Sequence, residues 1–178
     1  MPDRKDEVWR RVELASINLD SLATTSSAGA NGTGCTLSGL ANAARSRNVY
    51  WGASDDAAKE IPDVLRQHWA TQVFPPDHKG PSPAARKFHW LNQALWDGGY
   101  VLHVPKGVSV ELPAKAEFRA ASGQPMPHNL VVLEDGAAAT LIESYASANG
   151  DPATWLPQTE IILGAGARLR YILLQHTG

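Results

Sequence analysis

The sequence predicts a mainly β protein, the first coils of a parallel β-helix preceded by a small, mostly helical N-terminal domain. Three segments carry this reading. Val104-Pro105-Lys106-Gly107-Val108-Ser109-Val110-Glu111-Leu112, Leu133-Glu134-Asp135-Gly136-Ala137-Ala138-Ala139-Thr140-Leu141 and Leu163-Gly164-Ala165-Gly166-Ala167-Arg168-Leu169-Arg170-Tyr171 share one template. Each has an apolar residue, a short gap, a glycine, then apolar residues at alternate positions. The glycines at 107, 136 and 166 are spaced by 29 and then 30 residues. A regular period near that length marks a repeat architecture whose coils bury their faces against one another. Glycine supplies the positive φ of a tight corner. The alternation behind it points small or β-branched side chains inward (Val108, Val110, Ala137, Ala139). Three unrelated hairpins would share turn residues but not a register over nine positions.

The elements before the repeat are of another kind. Residues 5–22 carry Trp9, Val12, Leu14, Ile17, Leu19 and Leu22 at a spacing that moves from helical to alternating, which predicts a short helix running into an extended segment. Residues 23–39 are rich in Ser, Thr, Gly and Ala and predict a flexible surface loop. The loop lacks the Gly-Lys-Ser/Thr of a phosphate-binding loop, because Gly34 is followed by Cys35 and Thr36. Val49-Tyr50-Trp51 is a short apolar run. Ser54 reads as an N-cap, with Asp55 and Asp56 in the first turn. Pro62 suits the first position of a second helix bearing Val64, Leu65, His68 and Trp69 on one face. A proline-rich connection spans 73–83. Ser82-Pro83 opens a further helix with Phe88, Leu91 and Leu95 on one stripe, ended by Gly98-Gly99. The division is therefore 1–98, helical with its loop at 23–39, and 99–178, the start of the β-helix.

Composition narrows the function. The 178-residue chain is 43% hydrophobic and 19% charged, a globular balance. Its net charge of −2 and scattered Lys and Arg argue against nucleic acid or an anionic membrane as partner. One cysteine, Cys35, precludes an internal disulfide framework and fits a reducing compartment. The charged opening Met1-Pro2-Asp3-Arg4-Lys5 has no apolar stretch behind it. A soluble, cytoplasmic protein is the expectation. The pattern runs to Gly178 without a polar capping coil, so the expectation is the N-terminal portion of a longer protein, or a chain capped by a partner.

No motif assigns chemistry, and no catalytic, cofactor-binding or metal residue is designated. The histidines at 68, 78, 89, 103, 128 and 176 form no metal-ligand spacing. Coils could stack His103 near His128, but ordinary, partly exposed histidines are the simpler reading. Cys35 has no visible base or electropositive setting. Glu134, Asp135 and Glu143 could pair for acid–base work, yet solvated turn residues explain them more simply. The tryptophans at 9, 51, 69, 90 and 96 suit helix packing as well as an interface.

Longer stretches resemble a known family. Glu7-Val8-Trp9-Arg10-Arg11-Val12-Glu13-Leu14 with Ile17-Asn18-Leu19-Asp20 is similar to the opening of SufD-type proteins. Lys87-Phe88-His89-Trp90-Leu91-Asn92-Gln93-Ala94-Leu95, then Gly99-Tyr100-Val101-Leu102-His103-Val104-Pro105-Lys106-Gly107-Val108, resembles the lead helix and first coil of the SufB/SufD family. His128 to Ala137, Thr140-Leu141-Ile142-Glu143 and Thr159 to Ala167 resemble the next two coils. The resemblance implies a right-handed β-helix between helical domains. It implies a non-catalytic scaffold of the Suf iron–sulfur cluster assembly machinery, on the SufD side of the family, with SufB and SufC homologues as partners. A homodimer through the β-helix is a further assembly. The cluster, and ATP through SufC, would belong to the complete complex, with no cofactor bound by this fragment. The resemblance puts the positions credited with cluster assembly late in the β-helix, beyond Gly178. A SufB-type subunit is the nearest alternative. A cupin-like metal protein is a more distant one, because Val110 stands where a cupin has histidine. A polysaccharide-active β-helix would show carboxylates and aromatics on its coil surfaces, where Ala, Val and Leu prevail.

Overall fold

In the computed structural model, residues 34–40, 47–75, 77, 83–120, 124–147 and 154–176 are described. They form β1 (Gly34–Ser38), β2 (Tyr50–Ala53), α1 (Ser54–Glu60), α2 (Pro62–His68), α3 (Pro83–Leu95) and β3 (Tyr100–Val104), followed by β4 (Ala114–Ala120), β5 (His128–Leu133), β6 (Ala138–Ser147), β7 (Gln158–Leu163) and β8 (Arg168–His176). Sheet 1 has the order β1-β4-β6-β8 and sheet 2 the order β2-β3-β5-β7. From β3 onward the chain alternates between the sheets, and every pairing is parallel. A set of hairpins would pair antiparallel, so the structure departs from that alternative.

The register aligns the three glycine turns. Val104 lies opposite Leu133, and Leu133 opposite Leu163. Gly107, Gly136 and Gly166 have φ of 70°, 69° and 70°. Each sits third in a four-residue turn closed by Val108 N–H to Pro105 O (3.1 Å), Ala137 N–H to Glu134 O (3.0 Å) and Ala167 N–H to Gly164 O (3.1 Å). A positive φ at that position is the type II signature, which favours glycine. The turns also bond to one another: Gly107 N–H donates to Asp135 O at 2.9 Å, and Gly136 N–H to Ala165 O at 2.8 Å. The spacing read from sequence is thus a stack of equivalent corners.

Alternation sets the core between the sheets. In β4 the side chains of Ala114, Ala116, Phe118 and Ala120 are buried, while Lys115, Glu117 and Arg119 are exposed. Tyr100, Leu102, Val104, Phe118, Val131, Leu133, Ala137, Ala139, Leu141 and Tyr145 complete the interior. The outer face of sheet 2 is also buried. Val101, Leu130 and Val132 pack against Ala57, Ile61, Val64, Leu65 and Trp69 of the helical layer. This accounts for the unbroken apolar run of β5, whose strand is covered on both faces.

Three sequence expectations change. The loop expected at 23–39 gives way at Gly34–Ser38 to β1, which pairs antiparallel with β4 and sets Cys35 opposite Phe118 and Leu37 opposite Ala116. The exposed edge of β4 provides the backbone partners that the polar composition did not suggest. Likewise Val49-Tyr50-Trp51 leads into β2, which pairs antiparallel with β3. Residues before 98 therefore supply one edge strand of each sheet as well as the helices. The second change is at α1, which begins at Ser54; Ala53 is its N-cap, with no side-chain cap bond. The third concerns His103, His128 and Glu143, which are buried and not solvated. Pro62 does open α2, as expected. The helix expected within 5–22, the loop residues 23–33 and the cap residue Ser82 lie outside the described residues.

Candidate functional site

The chain concentrates its buried polar groups in two places, the interior between the sheets and the outer face of sheet 2. On the inner face the centre is Glu143. Its place between Leu141 and Tyr145 in the alternation of β6 turns it inward, and it is fully buried. Tyr100 of β3 donates its hydroxyl to Glu143 Oε2 at 2.8 Å, and Tyr171 of β8 donates to the same oxygen at 2.6 Å. Glu143 Oε1 accepts from Asn129 Nδ2 (3.1 Å), Thr159 Oγ1 (3.3 Å) and the Tyr145 hydroxyl. Asn129 and Thr159 are register partners on β5 and β7, and Asn129 Oδ1 accepts the Tyr100 N–H at 3.2 Å. A buried carboxylate is tolerated when donors of this kind replace water.

The electrostatics follow from that arrangement. Burial first, then the Glu143 carboxylate, pushes the Tyr100, Tyr145 and Tyr171 hydroxyls above the usual phenol range. The phenols therefore stay protonated and act as donors. Cys35 is an exposed residue on the edge strand β1. Desolvation by neighbouring protein, then Glu143, raises its thiol to about 12. A thiol held protonated is a poor nucleophile at neutral pH.

On the outer face His128 Nε2 meets Glu160 Oε1 at 2.8 Å, with 1% and 0% of the side chains exposed. A carboxylate only accepts when ionised, so the ring hydrogen belongs on Nε2. Trp69, at the end of α2, stacks on the His128 ring with centroids 4.4 Å apart. The Ala70 N–H donates to the same Glu160 oxygen at 2.8 Å. Nearby, His89 Nδ1 meets Gln158 Oε1 at 2.9 Å, and Asn92 Nδ2 donates to Leu156 O at 2.8 Å. These contacts pin the helical layer onto β5 and β7. A second histidine–glutamate pair, His103 Nε2 to Glu134 Oε1 at 2.9 Å, lies where the paired strands β3 and β5 end. That bond, with the Lys106 N–H, holds the Glu134 carboxyl below its usual range.

Chemically, each of these glutamates is engaged with donors from neighbouring strands, turns or helix ends. His103 and His128 do not come together as a metal pair. Among the described residues, no group of three or more His, Cys, Asp or Glu is placed to hold a metal ion. Glu143 carried a signal that the sequence reading passed over, because its phase with Ala139, Leu141 and Tyr145 already placed it inward. Among the described residues, no helix is long and apolar enough to cross a membrane.

Residues 118–178, from β4 to the end, match the SufBD core domain of the SUF iron–sulfur cluster assembly system. Over 134 residues, 73% of the chain, it is 33% identical to the iron-sulfur cluster assembly protein SufB of Bacillus subtilis (strain 168). The chain belongs to the SufB/SufD family. An iron-sulfur cluster assembly SufBD family protein of Staphylococcus epidermidis (strain ATCC 12228 / FDA PCI 1200) is 30% identical over 139 residues, again 73% of the chain. The chain spans 27% of the length of both relatives. SufB/SufD membership supersedes the cupin and polysaccharide readings. It also places β5–β8, with Glu143 and Glu160, inside the SufBD core domain.

Proposed function

We propose that this chain is part of a non-catalytic scaffold subunit of the Suf machinery, working with a partner scaffold subunit of the same family and the ATPase SufC. The iron–sulfur cluster is the cargo of that assembly. The observation that carries the reading is the stack of equivalent corners at Gly107, Gly136 and Gly166, joined by parallel pairing across both sheets. Those are the features of the first coils of a β-helix, and parallel crossovers favour the right-handed form. The buried glutamates support a structural role, since their hydrogen bonds tie strands and helices together.

Within the family we place the subunit on the SufD side, because the opening Trp9-Arg10-Arg11 resembles SufD-type proteins. The SufB reading has its own support: the Bacillus subtilis relative at 33% identity carries that name. Complementation separates them. The full-length gene is expected to restore cluster assembly in a strain lacking SufD and not in one lacking SufB. Rescue of only the SufB-deficient strain would reverse the assignment, and rescue of neither would remove both.

A further inference from the structure

A run of aromatic rings leads into the interior toward Glu143. The Trp51 ring of β2 lies edge-on to the Tyr100 ring of β3, with centroids 5.0 Å apart. Phe118 of β4 follows at 6.2 Å from Tyr100, and Phe118 stacks on Tyr145 of β6 at 5.0 Å. Trp51 is partly exposed, whereas Tyr100, Phe118 and Tyr145 are buried. Aromatic pairs at such separations are ordinary packing in a core. This run is set apart by its two phenols, which donate to one buried carboxylate. Tyr100 donates to Glu143 Oε2 at 2.8 Å, and Tyr145 donates to Oε1.

Phenol and indole rings can each lose one electron. An oxidised phenol is a very strong acid, so its oxidation is favoured where a base already holds the hydroxyl proton. Such a base must lie within hydrogen-bond reach, about 2.6–3.2 Å. Glu143 meets that condition for Tyr100. Before oxidation the proton stays on the phenol, because burial and the Glu143 charge hold Tyr100 above its usual range. The Trp51 N–H donates to the Ser38 carbonyl at 3.1 Å, and a carbonyl is too weak a base to take the proton. An oxidised Trp51 therefore keeps its proton and remains the stronger oxidant of the two rings. The ring separation lies within the range of electron tunnelling.

We propose that Trp51, Tyr100 and Glu143 form a one-electron redox site, which takes an oxidising equivalent at the surface and holds it as a buried tyrosyl radical. A one-electron oxidant of the peroxide-derived radical class removes an electron from the Trp51 ring and is itself reduced. Tyr100 then gives an electron to the Trp51 cation radical, which returns to neutral indole. In that step the Tyr100 O–H bond breaks and its proton passes to Glu143 Oε2. A neutral phenoxyl radical and a neutral carboxylic acid remain, so charge balances. Tyr145 shares the carboxylate, but one carboxylate takes one proton, so the site holds one equivalent. A one-electron reductant such as ascorbate discharges it by the reverse path, and the proton returns from Glu143 to Tyr100. The site lies in the core of this chain and needs neither SufC nor the cluster.

The test is flash photolysis of the full-length gene product with tris(bipyridine)ruthenium(II) and an electron acceptor, which together generate the ruthenium(III) oxidant in solution. A long-lived tyrosyl radical is expected in the optical and electron paramagnetic resonance spectra. Trp51→Phe is expected to slow its formation about tenfold, corresponding to roughly 1.4 kcal/mol of barrier. Tyr100→Phe is expected to slow it severalfold, and Tyr100→Phe with Tyr145→Phe to abolish it. Trp90→Phe, which removes an exposed indole outside the run, is expected not to slow it. Glu143→Gln is expected to lower the radical yield severalfold, and circular dichroism verifies that each variant is folded. Should Glu143→Gln unfold, the wild-type protein equilibrated in deuterium oxide tests the same proton transfer, and radical formation is expected to be severalfold slower there. No long-lived tyrosyl radical, an unchanged rate in Trp51→Phe, equal slowing by Trp90→Phe, survival of the radical in the double variant, or no isotope effect would overturn the proposal.

Discussion

The hydroxyl of Tyr100 donates to Oε2 of Glu143 at 2.8 Å, joining the second sheet to the first across 43 residues of sequence. Tyr171 reaches the same oxygen from β8. One carboxylate therefore ties β3 and β8 to β6. Glu143→Ala leaves buried hydroxyls without an acceptor, and is expected to destabilise the fold by about 3 kcal/mol. Glu143→Gln keeps an acceptor oxygen and is expected to lose less. Urea denaturation of the two variants checks the order; a neutral Glu143→Ala would show that the cluster contributes nothing to stability.

Alkaline pH probes the same cluster. Tyr100, Tyr145 and Tyr171 are held above the ordinary phenol value of 10.0 in the folded state. A group whose folded value is raised stabilises fully below its unfolded value, and that contribution is lost as pH rises above it. Stability is therefore expected to be flat up to about pH 10 and to fall beyond it. Tyrosinate absorbance from these residues is expected to appear together with loss of the β-sheet circular dichroism. Tyrosinate forming well before unfolding would contradict the buried, protonated assignment.

Two glycines separate strain from clash. A Cβ at Gly99 would lie 1.9 Å from the His128 carbonyl oxygen, and the residue has φ of +144°. At Gly107 the φ is +70° and a Cβ meets nothing within 4 Å. Gly107→Ala is expected to cost about 1–2 kcal/mol from the left-handed conformation alone. Gly99→Ala is expected to cost clearly more, because backbone must move as well. Thermal unfolding of the pair checks this ranking, and equal losses would refute it.

The helical layer depends on His128. His128→Ala would leave Glu160 buried with only the Ala70 N–H as donor and would remove the surface on which Trp69 stacks. The expected loss is about 3–5 kcal/mol, the range for breaking a buried pair from one side. Trp69 fluorescence should shift to longer wavelength as the end of α2 loosens. A His128→Ala variant with native stability would mean that the pair does not hold the layer.

Much of the fold was legible because it is local and periodic. The glycines at 107, 136 and 166 fix the corners, and the alternation behind them fixes which side chains turn inward. What escaped was decided by partners distant in sequence. Gly34-Cys35-Thr36-Leu37-Ser38 has the composition of a loop, and becomes a strand because β4 offers it an open edge. His128 and Glu160 look like surface residues until α2 closes over them. Glu143 was the readable exception, a charged residue at an inward phase. The candidate site was hidden for the same reason, since its donors come from five strands: β3, β5, β6, β7 and β8.

The most direct measurement of the account is co-purification of the tagged, full-length gene product with untagged SufC and the partner SufB/SufD-family subunit from the same cell. A stable complex of defined mass containing all three is the expected result. A product that purifies alone, with neither subunit at stoichiometric amount, would contradict the proposed role in the Suf machinery.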